Sequence, residues 1–129
     1  MPRLGLLLLL FCSWCNGAYA AGDSARRFVV YFSEWSAVLD DSAQAVISEA
    51  AGLAKSRSHA VITVTGFAGP IGSKAANILL SQLRAQRVSD QLQEDSVAAR
   101  RLRPVGRGSV RFSLTAQESR RVEIAVGGR

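Results

Sequence analysis

Few side chains in this 129-residue chain are of the types that make or break covalent bonds. Its one histidine is His59, and its two cysteines, Cys12 and Cys15, lie near the N-terminus. A nucleophile needs a base within reach, and a lone histidine at the start of a β-branched segment has no convergent partner in the pattern. The C-x-x-C spacing of Cys12 and Cys15 matches a redox or metal pair, yet no second ligand pair follows elsewhere. Asp40-Asp41 and Glu94-Asp95 suit helix ends better than a cation cage. Gly66-x-x-Gly69-x-x-Gly72 precedes a helical segment and could cradle an anion on backbone N–H groups, but its spacing is not the dinucleotide fingerprint and no ribose-binding acid follows. From this inventory no enzymatic activity, metal or cofactor is expected.

Arg84 is the more informative residue. It falls four positions after Leu80 and four before Val88, so a charge interrupts the ridge Leu80, Val88, Leu92 that should face the protein. One explanation is that its stem covers apolar surface while the guanidinium reaches water. The other is that the head is held at the edge of the core to clamp a carboxylate in a bidentate pair. Spacing alone does not separate the two.

The elements that must position Arg84 begin after a leader. Met1-Pro2-Arg3, the apolar run Leu4 to Phe11 and the small-residue stretch ending Ala18-Tyr19-Ala20 have the three regions of a secretory signal peptide, with cleavage expected after Ala20. The apolar run is far shorter than the roughly 20 residues of a spanning helix. No transmembrane segment is expected in the mature chain, and both cysteines leave with residues 1–20. Neither cysteine follows a lipobox, so no lipidated N-terminus is expected. Residues 21–27 form a short polar lead, and residues 28–127 the single domain that this length allows.

Phe28 to Phe32 is an apolar, β-branched and aromatic run suited to a buried strand. Asp40-Asp41-Ser42 supplies helix-capping side chains, and Ala43, Val46, Ile47, Ala50, Leu53 and Ala54 recur at helical spacing, so a helix is expected from Ser42 to Ser56. Ala60 to Phe67 reads as a central strand. A second helix should run from Ser73 to Gln93 after the glycine-rich turn. Arg101 to Val105 and Arg121 to Val126 are further strands, separated by a turn at Gly106 and Gly108 and a polar loop through Ala116 to Ser119. The order β-α-β-α-β-β predicts an α/β (α+β) two-layer sandwich, a mixed sheet with helices packed on it.

The formal charge is +6, with an isoelectric point near 10.4. Only Arg3 lies in the leader, so +5 remains on the 109 residues after it. Most of the excess is arginine from Arg84 onward, a spread that usually means solvated surface. Nucleic-acid binding would need interleaved aromatics, and Phe112 is the only one between Arg84 and Arg129. Export also removes the usual nucleic-acid targets, so anionic polymers outside the cytoplasm are better partners for the charge.

Gly66, Gly72, Asn77, Leu80-Ser81, Arg84-Ala85, Val88, Gly106-x-Gly108 and Arg120-Arg121-Val122-Glu123-Ile124 together resemble the OmpA-like, peptidoglycan-associating domains of bacterial envelope proteins. The resemblance runs from Phe28 to about Val126. It is most specific from Asn77 to Val88. Val30-Tyr31-Phe32 with Ser36-Ala37-Val38-Leu39 agrees as well.

The resemblance implies a periplasmic domain, at the cell wall or outer membrane, that recognises the meso-diaminopimelate unit of the wall peptide. In the family an arginine matching Arg84 holds a carboxylate of that ligand, and an aspartate in a Gly-His-Thr-Asp turn holds its ammonium. Here the turn reads Gly66-Phe67-Ala68-Gly69, with Gly69 in place of the acid. Losing one charge-assisted contact typically costs about 1.5–3 kcal/mol, so weak binding is expected. Glu34, in the altered segment Ser33-Glu34-Trp35-Ser36, could supply a substitute charge, but nothing in the sequence places it near Arg84. Of the paired Arg120 and Arg121, the resemblance implies a site-lining role for Arg120 and structural support from Arg121. Trp35 could stack on a sugar or peptide, but is expected instead to pack at a sheet end, burying most of its surface. The candidate ligand-binding residues are therefore Arg84, Asn77, Gly69 and Arg120. The alternative is a degenerate fold without peptidoglycan binding, serving as an interaction module for other envelope proteins.

Overall fold

The computed structural model describes residues 24–110 and 115–128. The segment expected to be a signal peptide, with Cys12 and Cys15, and also Phe112 and Arg129, lie outside the described residues. Strands β1 (Arg26–Tyr31), β2 (Ile62–Ala68), β3 (Leu102–Ser109) and β4 (Arg121–Val126) form one sheet in the order β1-β4-β2-β3. β4 is antiparallel to both of its neighbours, and β2 and β3 are parallel. A parallel pair needs a long crossover, which helix α2 (Lys74–Glu94) supplies, while α1 (Asp41–Ser56) links β1 to β2. The sheet is mixed and the sandwich two-layered, as the sequence predicts.

Alternation sets the faces. Phe28 and Val30, Ile62 and Val64, and Val122, Ile124 and Val126 point into one core with Ile47, Ala50 and Ala54 of α1 and Ala85, Val88 and Leu92 of α2. On the other face the Arg121 guanidinium lies 4.1 Å from the centroid of Phe67 and 3.1 Å from Glu123. Both helices start where expected because a side chain caps them. Asp40 Oδ1 accepts from the Ala43 N–H at 2.7 Å and Ser73 Oγ from the Ala76 N–H at 3.1 Å.

Three segments differ from expectation. β1 begins at Arg26, inside the expected polar lead, and ends at Tyr31 rather than Phe32, because Arg26 and Arg27 pair with Val126 and Ala125 of β4. Gly106 and Gly108 lie inside β3 rather than in a turn, and Arg101 falls in a 3₁₀ turn before that strand. The Arg101 guanidinium donates to the carbonyls of Ala54, Arg57 and Ala60, fixing the entry of β3 against the end of α1. Ala116 to Ser119 is a short helix, α3, rather than a loop. Thr115 and Glu118 form a reciprocal capping box, which supplies partners for its otherwise unpaired N–H groups.

Glycine at Gly66 permits a close contact between the layers. A Cβ there would collide with the backbone carbonyl oxygen of Ser81 in α2. Gly66→Ala should therefore push α2 off the sheet and cost about 1–3 kcal/mol. Gly52 sits exposed inside α1 with open space around it, and Gly52→Ala should gain roughly 0.5–1 kcal/mol from helix propensity. Denaturant midpoints of the two variants are expected to move in opposite directions.

Candidate functional site

β1 and β2 run the same way, so the segments that leave their C-terminal ends emerge at one edge of the sheet, where β4 begins. That topology brings together the turn after β1, the glycine-rich turn after β2, and Arg120. α2 crosses the same edge with Arg84.

The Arg84 side chain is wholly buried, at 0% exposure. Nε donates to the Ser36 carbonyl at 2.7 Å, one terminal nitrogen to Phe67 at 3.1 Å and the other to Ser33 at 3.0 Å. Its guanidinium carbon stands 5.2 Å from the centroid of the Phe32 ring, where a cation–π contact adds to the carbonyl dipoles. Of the two readings left open by spacing, the one in which the head reaches water is excluded. The head is held at the core edge, and its holders are backbone carbonyls rather than a carboxylate.

Arg120 is tied to Phe32 in both directions. The Phe32 N–H donates to the Arg120 carbonyl at 2.9 Å, and Arg120 Nε donates to the Phe32 carbonyl at 3.1 Å. Its terminal nitrogens make no hydrogen bond among the described residues. Burial first, and the charge of Arg120 second, push the Arg84 pKa down to about 10. That is still far above neutral, so Arg84 carries its charge at physiological pH. Among the described residues the ion pairs are Arg26–Glu49 and Arg121–Glu123, and neither Arg84 nor Arg120 has a carboxylate partner.

Arg84, Asn77, Gly69 and Arg120 all line one pocket of about 120 Å³. Trp35, Pro70, Ile71 and Leu80 give it apolar walls, and Glu34 lines it too. Asn77 is 1% exposed, and its amide donates to the Ile71 carbonyl at 3.1 Å and Ser109 Oγ at 2.8 Å. It shapes the turn below the pocket with donors that are already engaged. Gly69 leaves room, since a Cβ there would meet only Arg120 Cγ and Ser119 Oγ, both at 3.8 Å.

Trp35 corrects the expectation that it is mostly buried. It remains 53% exposed with φ of 53°, and its indole lies over Gly72, whose φ is +102°. A Cβ at Gly72 would collide with the ring, so glycine there serves both the turn and the indole. The sequence does not place Glu34 and Trp35 at the site, because their position depends on β1 and β2 running in parallel on either side of β4. That pairing leaves no local signal.

Among the described residues no group of three or more His, Cys, Asp or Glu is placed to hold a metal ion, and no helix is long and apolar enough to cross a membrane.

The chain belongs to the OmpA family, whose model matches residues 31–124. Its fold is similar to that of the peptidoglycan-associated lipoprotein from Burkholderia pseudomallei, with 24% identity and a TM-score of 0.71 over 77% of this chain and 89% of that one. It is also similar to the periplasmic domain of MotB from Helicobacter pylori, with 18% identity and a TM-score of 0.65 over 82% of this chain and 78% of that one. The cell wall anchor of the T6SS from Pseudomonas aeruginosa is 28% identical, with a TM-score of 0.63 over 83% of this chain and 88% of that one. No curated protein sequence matches.

Arg84→Lys keeps the charge but cannot reach three carbonyls from one nitrogen. With each partly buried acceptor left unpaired costing about 1–3 kcal/mol, the variant should lose at least 2 kcal/mol. Urea unfolding of Arg84→Lys beside the wild type checks this.

Proposed function

We propose that this domain binds the peptide of peptidoglycan, or another anionic component of the bacterial wall, through a carboxylate held in the pocket by Arg84 and Arg120. The observation that carries the reading is the pair of guanidinium groups lining one pocket with no carboxylate bound to either among the described residues. Three of the five Arg84 N–H donors are engaged by carbonyls, which leaves one on each terminal nitrogen. Arg120 offers the N–H groups of both its terminal nitrogens. A carboxylate accepts such donors in short, charge-assisted bonds. The apolar walls suit the aliphatic stem of an amino acid.

The names of similar structures support the same reading, since they include a peptidoglycan-associated lipoprotein and a cell wall anchor. The domain acts as a binding module without catalysis, in the periplasm after removal of residues 1–20, at the cell wall or outer membrane. Asn77 and Gly69 contribute shape: Asn77 by fixing the turn, Gly69 by leaving space beside Arg120.

Gly69 favours a second reading, in which a site without the family's aspartate has lost its ligand and the fold serves as an envelope interaction module. The two differ in the native protein's behaviour. Under the second reading diaminopimelate binding is absent from the wild type and is created by Gly69→Asp.

Retention on isolated sacculi at low salt tests the proposal. Wild-type protein should be retained, and retention should fall as salt rises. Arg120→Gln removes one charge-assisted contact and should weaken binding about tenfold or more, with the backbone bond between Phe32 and Arg120 still in place. A wild-type protein that is not retained at low salt sinks the proposal.

A further inference from the structure

α1 and α2 both pack on one face of the sheet, which leaves the opposite face to be read separately. Along β3 the even positions point to the helices, since Leu102 is buried and a Cβ at Gly106 or Gly108 would meet Gln82 or Ile78 of α2. The odd positions Arg103, Val105 and Arg107 therefore point away. All three are exposed, as are Arg27 and Tyr31 at the far edge of the sheet. Strand pairing sets these residues in rows: Arg27 joins Arg103 through Ala125 and Thr63, and Val29 joins Val105 through Glu123 and Thr65. In the next row Tyr31 pairs with Arg121, and Arg107 follows Val105 by two residues.

The charge on this face is one-sided. Arg27 and Arg107 make no hydrogen bond or ion pair among the described residues, and Arg103 donates to the carbonyls of Arg100 and Leu102. Glu123 is the one acid on these rows, and it pairs with Arg121 at 3.1 Å. The helical layer carries both signs instead, with Asp41, Glu49 and Asp90 beside Lys55, Lys74 and Arg87. Strands stand about 4.8 Å apart and rise about 3.3 Å per residue, so Arg27 and Arg103 are roughly 14 Å apart across the sheet and Arg103 and Arg107 roughly 13 Å along it. Three uncancelled charges thus mark three corners of a patch. The fourth corner is Tyr31, at 44% exposure.

We propose that this open sheet face docks the domain onto an anionic phospholipid bilayer. Charges spread in two dimensions match a planar field of phosphates, whereas a linear polyanion would engage a single row. Tyrosine, with an apolar ring and a polar tip, suits the headgroup level, and arginine stems cover apolar surface while their heads reach phosphate. A nucleic acid fits less well, because the Arg121 guanidinium already covers Phe67 at 4.1 Å and Tyr31 is left as the one free ring on the face. Arg27, Tyr31, Arg103 and Arg107 do not line the pocket of Arg84 and Arg120, so this surface stands apart from the proposed wall-binding site.

Flotation of the purified protein with lipid vesicles tests the proposal. Wild-type protein should bind vesicles containing phosphatidylglycerol at low salt, lose them as salt rises, and ignore vesicles of phosphatidylcholine alone. Arg27→Gln with Arg107→Gln should weaken binding about twentyfold, at roughly fivefold for each arginine near an anionic surface. Its urea midpoint should stay that of the wild type, since neither side chain has a partner to lose among the described residues. Lys74→Gln with Arg87→Gln removes the same charge from the helical layer and should change binding by no more than about twofold, because the patch and not the net charge makes the contact. Absence of binding to the anionic vesicles, or an equal loss in the two double variants, overturns the proposal. Binding to soluble polyglutamate as tight as to the vesicles overturns it in favour of an acidic polypeptide partner.

Discussion

A guanidinium charge buried at the edge of the core is the constraint around which this end of the fold is built. Unsolvated charge in a low-dielectric interior is costly unless strong dipoles surround it. Arg84 finds those dipoles in three carbonyls from two separate segments, Ser33 and Ser36 after β1 and Phe67 at the end of β2. The fork geometry of arginine makes this possible, since its planar array of donors reaches acceptors in several directions at once. Reach also matters. The head meets the end of β2 only because α2 lies close to the sheet, and α2 lies close because Gly66 presents no Cβ to the Ser81 carbonyl.

That arrangement explains why a positive pocket persists. Carbonyls stabilise a cation without cancelling its charge, so Arg84 stays a full positive charge beside Arg120. A protein carboxylate bonded to either guanidinium would cancel that charge, and among the described residues neither has one. The lowering of the Arg84 pKa toward 10 records the strain of burial and of the neighbouring cation together.

Much of the fold is legible in the sequence because its signals are local. Capping side chains at Asp40 and Ser73 mark the helix starts, and β-branched runs mark β1, β2 and β4. The differences arise where tertiary contact decides. Gly106 and Gly108 read as a turn, yet they continue a strand because α2 presses against β3 there, with Ser81 Oγ accepting from the Gly108 N–H at 2.8 Å. For the site, Arg84, Asn77, Gly69 and Arg120 are legible through family resemblance, and the structure brings them to one pocket. Glu34 and Trp35 are not, because they become neighbours of Arg84 only when β4 has paired with β1 on one side and β2 on the other.

The arginine excess also takes a different meaning once the contacts are known. A spread of arginines over the second half of the chain reads as solvated surface, but Arg84, Arg101, Arg103, Arg120 and Arg121 each donate to a backbone carbonyl, as does Arg57 earlier in the chain. Arg57 and Arg101 tie the end of α1 to the chain on either side of it, reaching carbonyls of residues as distant as Gly127. Lysine could not replace them, because a single ammonium nitrogen does not span such sets of acceptors. Using carbonyls as partners has an electrostatic consequence that carboxylates would not have. Apart from Arg121, which also pairs with Glu123, each tie leaves its positive charge without a carboxylate partner among the described residues, so the interactions that hold the loops together also generate the field of the domain. A domain stapled by arginine–carbonyl contacts is attracted to anionic polymers at long range through the same side chains that keep it folded, and salt weakens that attraction while leaving the short-range ties in place.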